Sequence, residues 1–396
     1  MNDRASLQHE LHARGAVRAL TASQIREVAN AGLGDPGILA FWFGEPDEVT
    51  PAYIRDAAVA SLGAGETFYT QNFGIPELRD AIADYLTRLR RPVAPDNVAV
   101  TASGMSALML CVEALIDAGD RVVCVTPLWP NLTEIPKILG AEVVRVPLEF
   151  GEGGWRLNVD RLIAALVPGT RAVMINSPNN PTGWSLDGEA RDAILAHCRR
   201  HGIWIIADDV YERLYYAGGE GVAAAPSFLD RADPSDRVVS INSFSKAWLM
   251  TGWRLGWIVA PPQLMPDLGK LIEYNTSCSP VFVQRAGVVA IREGEPTVIH
   301  TLGRFRAARD FLVARLSAIR GVQAALPAGA MYVFFRVDGV TESLAFCKRL
   351  VREAKLGLAP GSAFGPEGQG FVRWCFAAAE DRLAEGVRRL ETFLGR

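Results

Sequence analysis

No stretch of this 396-residue chain approaches the ~20 consecutive apolar residues that a bilayer-spanning helix needs, which argues against a helical membrane protein. Charge of one sign is lacking too. Forty-one Lys plus Arg stand against 44 Asp plus Glu, a net charge of −3, so there is no basic footprint for nucleic acid. Cys111, Cys124, Cys198, Cys278, Cys347 and Cys375 are scattered without paired spacing. That reads as reduced thiols in a cytosolic protein and not as a disulfide framework. There is no repeat and no low-complexity segment. Met1-Asn2-Asp3-Arg4 opens a polar stretch with no apolar core, so no secretory signal is expected. His197 and His201 have the i, i+4 spacing of some metal sites, but no other ligand cluster accompanies them. They read instead as the basic end of a helix, where positive charge suits the macrodipole, and no metal is expected.

What is present is ample apolar material: 49% hydrophobic against 21% charged residues, ordinary for a soluble globular protein. The length allows two or three domains. Val98–Thr101 precedes a helical pattern from about Met105 to Ile116. Arg121–Val125 precedes another near Asn131 to Leu139, and Ala141–Val146 follows. Such alternation predicts an α/β domain built on a mostly parallel sheet. After Pro261-Pro262 the pattern is mainly helical, then returns to short strands near Met331–Phe335 and Phe371–Trp374. This predicts a second, smaller α+β domain. Thr21-Ala22-Ser23-Gln24 has the form of a capping box opening an early helix.

The chemistry concentrates in Asn242-Ser243-Phe244-Ser245-Lys246, with Arg254 eight residues on. The apolar run Arg237–Ile241 delivers Lys246 to the end of a buried strand. Desolvation there disfavours the ammonium and makes the amine a usable nucleophile. The neighbouring hydroxyls and Arg254 supply what a phosphate anion needs. A nucleophilic lysine beside a phosphate cradle points to pyridoxal phosphate held as a Schiff base. Two further apolar runs end in polar chemistry. Ile203–Ala207 leads into Asp208-Asp209-Val210-Tyr211, and Ala172–Ile175 leads into Asn176-Ser177-Pro178-Asn179-Asn180-Pro181-Thr182-Gly183. Strands that all end this way imply one ligand crevice at their carboxyl edge.

With these segments in place the chain resembles the class I/II aminotransferases, the fold-type I pyridoxal-phosphate enzymes. The resemblance runs from Phe43-Gly44-Glu45-Pro46-Asp47 through Tyr69 and Gly74–Arg79 to Phe371–Ala377. It implies a large cofactor-binding α/β domain over 45–290, and a small α+β domain formed by 1–44 with 291–396. The active site would lie between them in a homodimer with shared sites. It also implies residue roles. Lys246 would hold the cofactor and carry the proton. Asp208, rather than its neighbour Asp209, would pair with the ring nitrogen. Tyr211 and Asn180 would hydrogen-bond the phenolic oxygen. Ser103, Gly104, Met105, Ser243 and Arg254, with Tyr69 of a partner subunit, would surround the phosphate. Trp129 would stack on the ring. Arg373, helped by the peptide N–H of Gly44, would clamp the substrate carboxylate, with Trp129 and Asn180 also near the substrate.

One departure bears on the substrate. In bacterial aspartate aminotransferases of this subgroup a lysine near the phosphate loop reads the side-chain carboxylate, and here Met105 stands at that position. The expectation is an amino-acid aminotransferase working by ping-pong exchange with a 2-oxo acid, leaning to neutral or apolar donors. A C–S β-lyase sharing Lys246, Asp208 and Arg373 is the alternative, since a fold does not settle function. A non-catalytic cofactor-binding regulator is disfavoured, because the segment before the large domain is short and not basic. The expected location is the cytoplasm.

Overall fold

The computed structural model describes residues 12–218 and 224–395. Residues 1–11 of the expected small domain, including the stretch read for a secretory signal, lie outside them.

Seven strands form the central sheet. Their spatial order is Val98–Thr101, Gly256–Val259, Val238–Ser243, Trp204–Asp208, Thr170–Asn176, Arg121–Thr126 and Glu142–Pro147. Gly256–Val259 is antiparallel to both its neighbours, and the other pairs are parallel. Both faces are covered, as near-continuous apolar strands require. Ala99 packs into a cluster with Leu108 and Ile206, whereas Val98 and Val100 join Leu78 and Trp257 on the other face. Ile205 and Ala207 alternate in the same way against Ile206. This is the period of two that a pleated strand imposes.

The helices Gly104–Leu115 and Pro130–Ile138 and the strand Glu142–Pro147 lie within one residue of the ranges read from the sequence. After Pro261-Pro262 three helices follow: Met265–Asn275, Val281–Glu293 and Glu295–Ser317. A second sheet of four strands then appears in the order Val322–Gln323, Tyr332–Val337, Phe371–Cys375 and Ala359–Pro360, all antiparallel.

The amino-terminal segment packs against this carboxyl-terminal part. Leu39–Ala40 pairs in parallel with Leu356–Gly357, and the helix Gln24–Ala31 lies on the helix Ser343–Ala354. Ile25, Val28 and Phe41 share one core with Phe334, Trp374 and Leu383. The cap of that early helix differs from the expected box. Ser23, not Thr21, is the N-cap, and its Oγ accepts from the Arg26 amide at 3.3 Å. Gln24 is already the first helical residue, and its side-chain oxygen accepts from Ser362 Oγ at 2.6 Å, so it cannot close a box with Thr21.

Candidate active site

The register of the central sheet sets the chemistry side by side. Asp208 ends its strand opposite Asn176, the last residue of the neighbouring strand, and opposite Ile241 on its other side. Asn176 donates from Nδ2 to the Asp208 carbonyl at 3.1 Å and accepts the Asn180 amide at 2.7 Å. This pins the Asn180 turn onto the strand end. Burial raises the Asp208 carboxyl from its ordinary value to about 7, opposed by the Val210 amide, which donates to it at 3.2 Å.

Lys246 follows the strand Val238–Ser243 by three residues. Its Nζ donates to the Gly44 carbonyl at 2.6 Å, and burial depresses its amine to about 8. The Tyr211 ring centre is 5.9 Å from Nζ. The Tyr211 hydroxyl is bonded to that of Tyr332 at 2.7 Å, and burial raises the Tyr211 phenol well above its ordinary value.

An anion corner adjoins these groups. Ser103 has a φ of 131°, caps the helix Gly104–Leu115 and accepts the Ser106 amide at 3.0 Å. The first N–H groups of that helix have no partner within it. The Ser243 and Ser245 hydroxyls lie 2.9 Å apart. Space is tight here: a Cβ on Gly256 would fall 2.6 Å from the Gly104 nitrogen and 2.7 Å from the Asn242 carbonyl. Arg254, with φ 54°, lines the cleft and donates to the Thr251 carbonyl at 2.6 Å. A helix start, two hydroxyls and a guanidinium together suit a phosphate.

Arg373 projects from the second sheet. It is buried, with its guanidinium 4.3 Å from the Tyr332 ring centre and 4.9 Å from that of Phe364. Nη1 donates to Asn180 Oδ1 at 2.8 Å and Nη2 to the Trp42 carbonyl, while the buried Nε has no partner among the described residues. Of an arginine's five N–H groups, several thus remain for a ligand. A Cβ on Gly44 would sit 1.9 Å from the Tyr332 hydroxyl, so only glycine fits there. Trp129 opens the helix Pro130–Ile138, and Met105 accepts a contact from Asn131 Nδ2 at 3.3 Å. Gly44, Gly104, Met105, Trp129, Asn180, Asp208, Tyr211, Ser243, Ser245, Lys246, Arg254, Tyr332 and Arg373 line one cleft of about 490 Å³.

The family pattern for aminotransferase class I and II matches residues 40–390. The chain belongs to the class I and II aminotransferases. It is 37% identical over 353 residues to an aspartate aminotransferase of Thermotoga maritima, covering 89% of this chain and 90% of that one. It is 32% identical over 377 residues to aromatic-amino-acid aminotransferase 2 of Thermococcus litoralis, with 94% and 95% covered. The solved alanine aminotransferase of Pyrococcus furiosus superposes with a TM-score of 0.89 at 26% identity, over 97% of this chain and 100% of that one. The protein is a pyridoxal-phosphate-dependent amino-acid aminotransferase of fold type I.

Of the residues singled out in the sequence, the aminotransferase fold brings Gly44, Gly104, Met105, Trp129, Asn180, Asp208, Tyr211, Ser243, Lys246, Arg254 and Arg373 to this cleft, with Ser103 directly behind the helix start. Tyr69 is not among them. It is 89% exposed on a separate face beside Thr70, Gln71 and Arg285. Asp209, the neighbour passed over in favour of Asp208, is buried as well. Successive strand-end residues point to opposite sides, and its Oδ2 accepts from Ser240 at 2.6 Å and Ser227 at 2.8 Å. Trp184 packs against a cluster with Leu186 and Ile194 and does not line the cleft. His197 places Nε2 2.9 Å from the Leu166 carbonyl, its ring 4.5 Å from that of His201, and no metal-binding group of three or more side chains occurs among the described residues. The thiols are free. Sequence reasoning missed Tyr332, Glu45 and Arg26, which also line the cleft. Their only signal was position within segments recognised for other reasons.

The Asp208 shift makes a stability prediction. Its folded value lies above its unfolded one, so protonation stabilises the fold at low pH, and that contribution is lost as pH rises through about 7. Asp208→Asn removes the buried charge. In the cofactor-free protein it should raise the melting temperature at pH 8, by at most ~4 kcal/mol of stability, with the gain shrinking toward pH 5. Melts showing no gain at pH 8, or an equal gain at pH 5, would contradict this reading.

Proposed function

We propose that this aminotransferase exchanges the amino group between L-amino acids and 2-oxo acids by a ping-pong reaction, with neutral or apolar side chains preferred in the donor. The observation that carries the catalytic reading is the buried Lys246 amine, lowered to about 8, in the same cleft as the buried Asp208 and Arg373. When bound, pyridoxal phosphate supplies an electron sink for charge developing at the substrate Cα. The chain's own groups do the rest. Lys246 is the attachment point for the cofactor and, once free, takes the proton from Cα and returns one. Asp208 holds a proton against the ring nitrogen. Tyr211 and Asn180 supply donors to the phenolic oxygen, and Trp129 faces the ring. Ser103, Gly104, Met105, Ser243 and Arg254 hold the phosphate, the glycine and methionine through backbone N–H groups at the helix start. Arg373 takes the substrate α-carboxylate with its remaining N–H groups, Gly44 shaping the floor beside it.

The parts divide as 45–290 for the cofactor and 1–44 with 291–396 for the smaller unit. The pairing of Leu39–Ala40 with Leu356–Gly357 supports that division. No helix among the described residues is long and apolar enough to cross a membrane, and free thiols suit the cytoplasm. Donor choice rests on Met105, where an unpartnered carboxylate would be costly and an adaptable thioether suits apolar side chains. Relatives bearing aspartate, aromatic and alanine aminotransferase names favour transfer over C–S β-elimination, and leave the donor to experiment.

A screen of amino donors against 2-oxoglutarate, pyruvate and glyoxylate, followed by the cofactor's absorbance, tests the reading. Methionine, alanine or phenylalanine should match or exceed aspartate in kcat/KM. Aspartate ahead by about tenfold, ~1.4 kcal/mol, would overturn the donor preference, and pyruvate released without an acceptor would establish the lyase. Arg373→Lys keeps charge but loses the fork. Affinity for the amino acid should fall about ten- to a hundredfold, with cofactor binding little changed. Unchanged amino-acid kinetics would make Arg373 structural.

A homodimer is the third element of the proposal, with Tyr69 of one subunit completing the phosphate site of the other. The exposed, consecutive rings of Phe68 and Tyr69 support it, since adjoining apolar surface left open to solvent marks an interaction site. Light scattering should give twice the chain mass, and a fully active monomer would refute shared sites.

A further inference from the structure

Tyr211 is given the phenolic oxygen of the cofactor above, yet its hydroxyl already has a partner within the protein. It lies 2.7 Å from the hydroxyl of Tyr332, and both side chains are buried. The two rings meet edge to face, with centres 5.8 Å apart. Their mount is firm. The Leu214 amide donates to the Tyr211 carbonyl at 2.8 Å, and the Ala330 amide donates to the Leu214 carbonyl at 2.8 Å. The turn after Tyr211 thus holds the chain just before Tyr332, whose own strand pairs it with Cys375. Gly44 clears the space around the Tyr332 hydroxyl, since a Cβ there would collide with it. Among the described residues that hydroxyl has no hydrogen-bond partner besides Tyr211.

We propose that Tyr332 is a positioning residue for the exchange: its hydroxyl donates to Tyr211 and so turns the single Tyr211 proton towards the cofactor's phenolic oxygen. This rests on the role given to Tyr211 above and adds the group behind it. A phenol has one proton and two lone pairs. With its proton given to Tyr332, Tyr211 would present only lone pairs to the cleft, which a negative oxygen there would repel. With Tyr332 as the donor, the Tyr211 proton is left for the cleft, and each bond in the chain polarises the next.

Two observations favour that direction. Tyr211 is the one acceptor within reach of the Tyr332 proton among the described residues. Burial raises both phenols, but at Tyr332 the Arg373 guanidinium, 4.3 Å from the ring centre, opposes the rise and the phenol stands at about 12. At Tyr211 the Tyr332 oxygen adds to the rise instead. The more acidic phenol is the better donor. Charged and titratable groups facing the pair are Arg373 and Cys375 from the second sheet, Asp208 from its strand end and Lys246, with Glu45 and Arg254 acting on Lys246. Tyr332→Phe leaves all of them in place.

The test compares the cofactor-loaded enzyme with its Tyr332→Phe, Tyr211→Phe and doubly substituted forms. Phenylalanine keeps both rings and the Arg373 contact. Two readouts need no turnover: the dissociation constant of pyridoxal phosphate, and the pH at which the bound cofactor's absorbance changes. A donor aimed at the phenolic oxygen stabilises negative charge there, so its loss makes the bound cofactor keep its proton to higher pH. Tyr332→Phe should raise that midpoint by about 0.4–1 pH unit and the dissociation constant about two- to tenfold, the size of one neutral hydrogen bond. In the Tyr211→Phe background the same substitution should change neither, because the proton it directs is gone. A midpoint unmoved or lowered by Tyr332→Phe would overturn the proposal. So would an equal rise with and without the Tyr211 hydroxyl, which would make Tyr332 a contact in its own right. A midpoint unmoved by Tyr211→Phe would instead refute the role given to Tyr211, and the proposal with it.

Discussion

Backbone hydrogen bonding between Thr170–Asn176, Trp204–Asp208 and Val238–Ser243 sets where the candidate groups at the edge of the seven-stranded sheet sit. Parallel pairing puts the carboxyl ends of these strands on one edge. Asn176 and Asp208 are register partners, and the Asp209 amide donates to the Ile241 carbonyl at 2.9 Å. The antiparallel strand Gly256–Val259 begins on that same edge, with Gly256 opposite both Ser243 and Thr101. Its missing side chain lets the helix start at Gly104 approach, and so creates the anion corner. A slip of one residue in the strand Trp204–Asp208 against its two neighbours would turn Asp208 away from the cleft and Asp209 into it.

Behind that edge lies a second polar layer that never meets the cleft. Glu212 is paired with Arg90 and accepts from Asn242 Nδ2 at 2.7 Å and from the Tyr85 hydroxyl at 3.1 Å. Arg90 also reaches Asp230 at 2.7 Å, which bonds Arg191 at the same distance. Buried charges of this kind persist only when partnered. Asn242 links the layer to the site, because its side-chain oxygen accepts the Ser243 amide at 2.8 Å. Burial moves Asp208 up and Lys246 down, and those opposite shifts bring a carboxyl and an amine near neutrality within one cleft.

Arg373 is held by contributions from widely separated parts of the chain. Asn180 comes from the large sheet's edge, Trp42 from the amino-terminal segment, and Tyr332 and Phe364 from around the second sheet. Phe364 is itself tied to the seven-stranded sheet. Arg145 donates to its carbonyl at 3.1 Å and to Glu367 at 2.7 Å, and Thr126 Oγ1 donates to Glu367 at 3.1 Å. Arg373 therefore sits where the two sheets meet, and its geometry depends on how they pack.

Local pattern alone marked the alternating strands and helices of the large sheet, the mainly helical run after Pro261-Pro262 and the strand-end placement of Lys246, Asp208 and Asn180. Each follows from apolar periodicity and the chemistry just after an apolar run. Resemblance to the family added Arg373, Trp129, Gly44 and Tyr69, which no local pattern distinguishes from ordinary core or surface residues. Packing alone decided the remainder. Ser23 displaced Thr21 as a cap because the helix begins one residue after it. Asp209 turned inward because neighbouring strand residues face opposite sides. Tyr332 reached Tyr211, and Arg26 reached the same cleft as Lys246, across 121 and 220 positions of sequence. Periodicity reports which face of an element is apolar. It carries no information about which distant polar side chain that face will meet, because that is set by how the amino-terminal helix and the second sheet dock on the first.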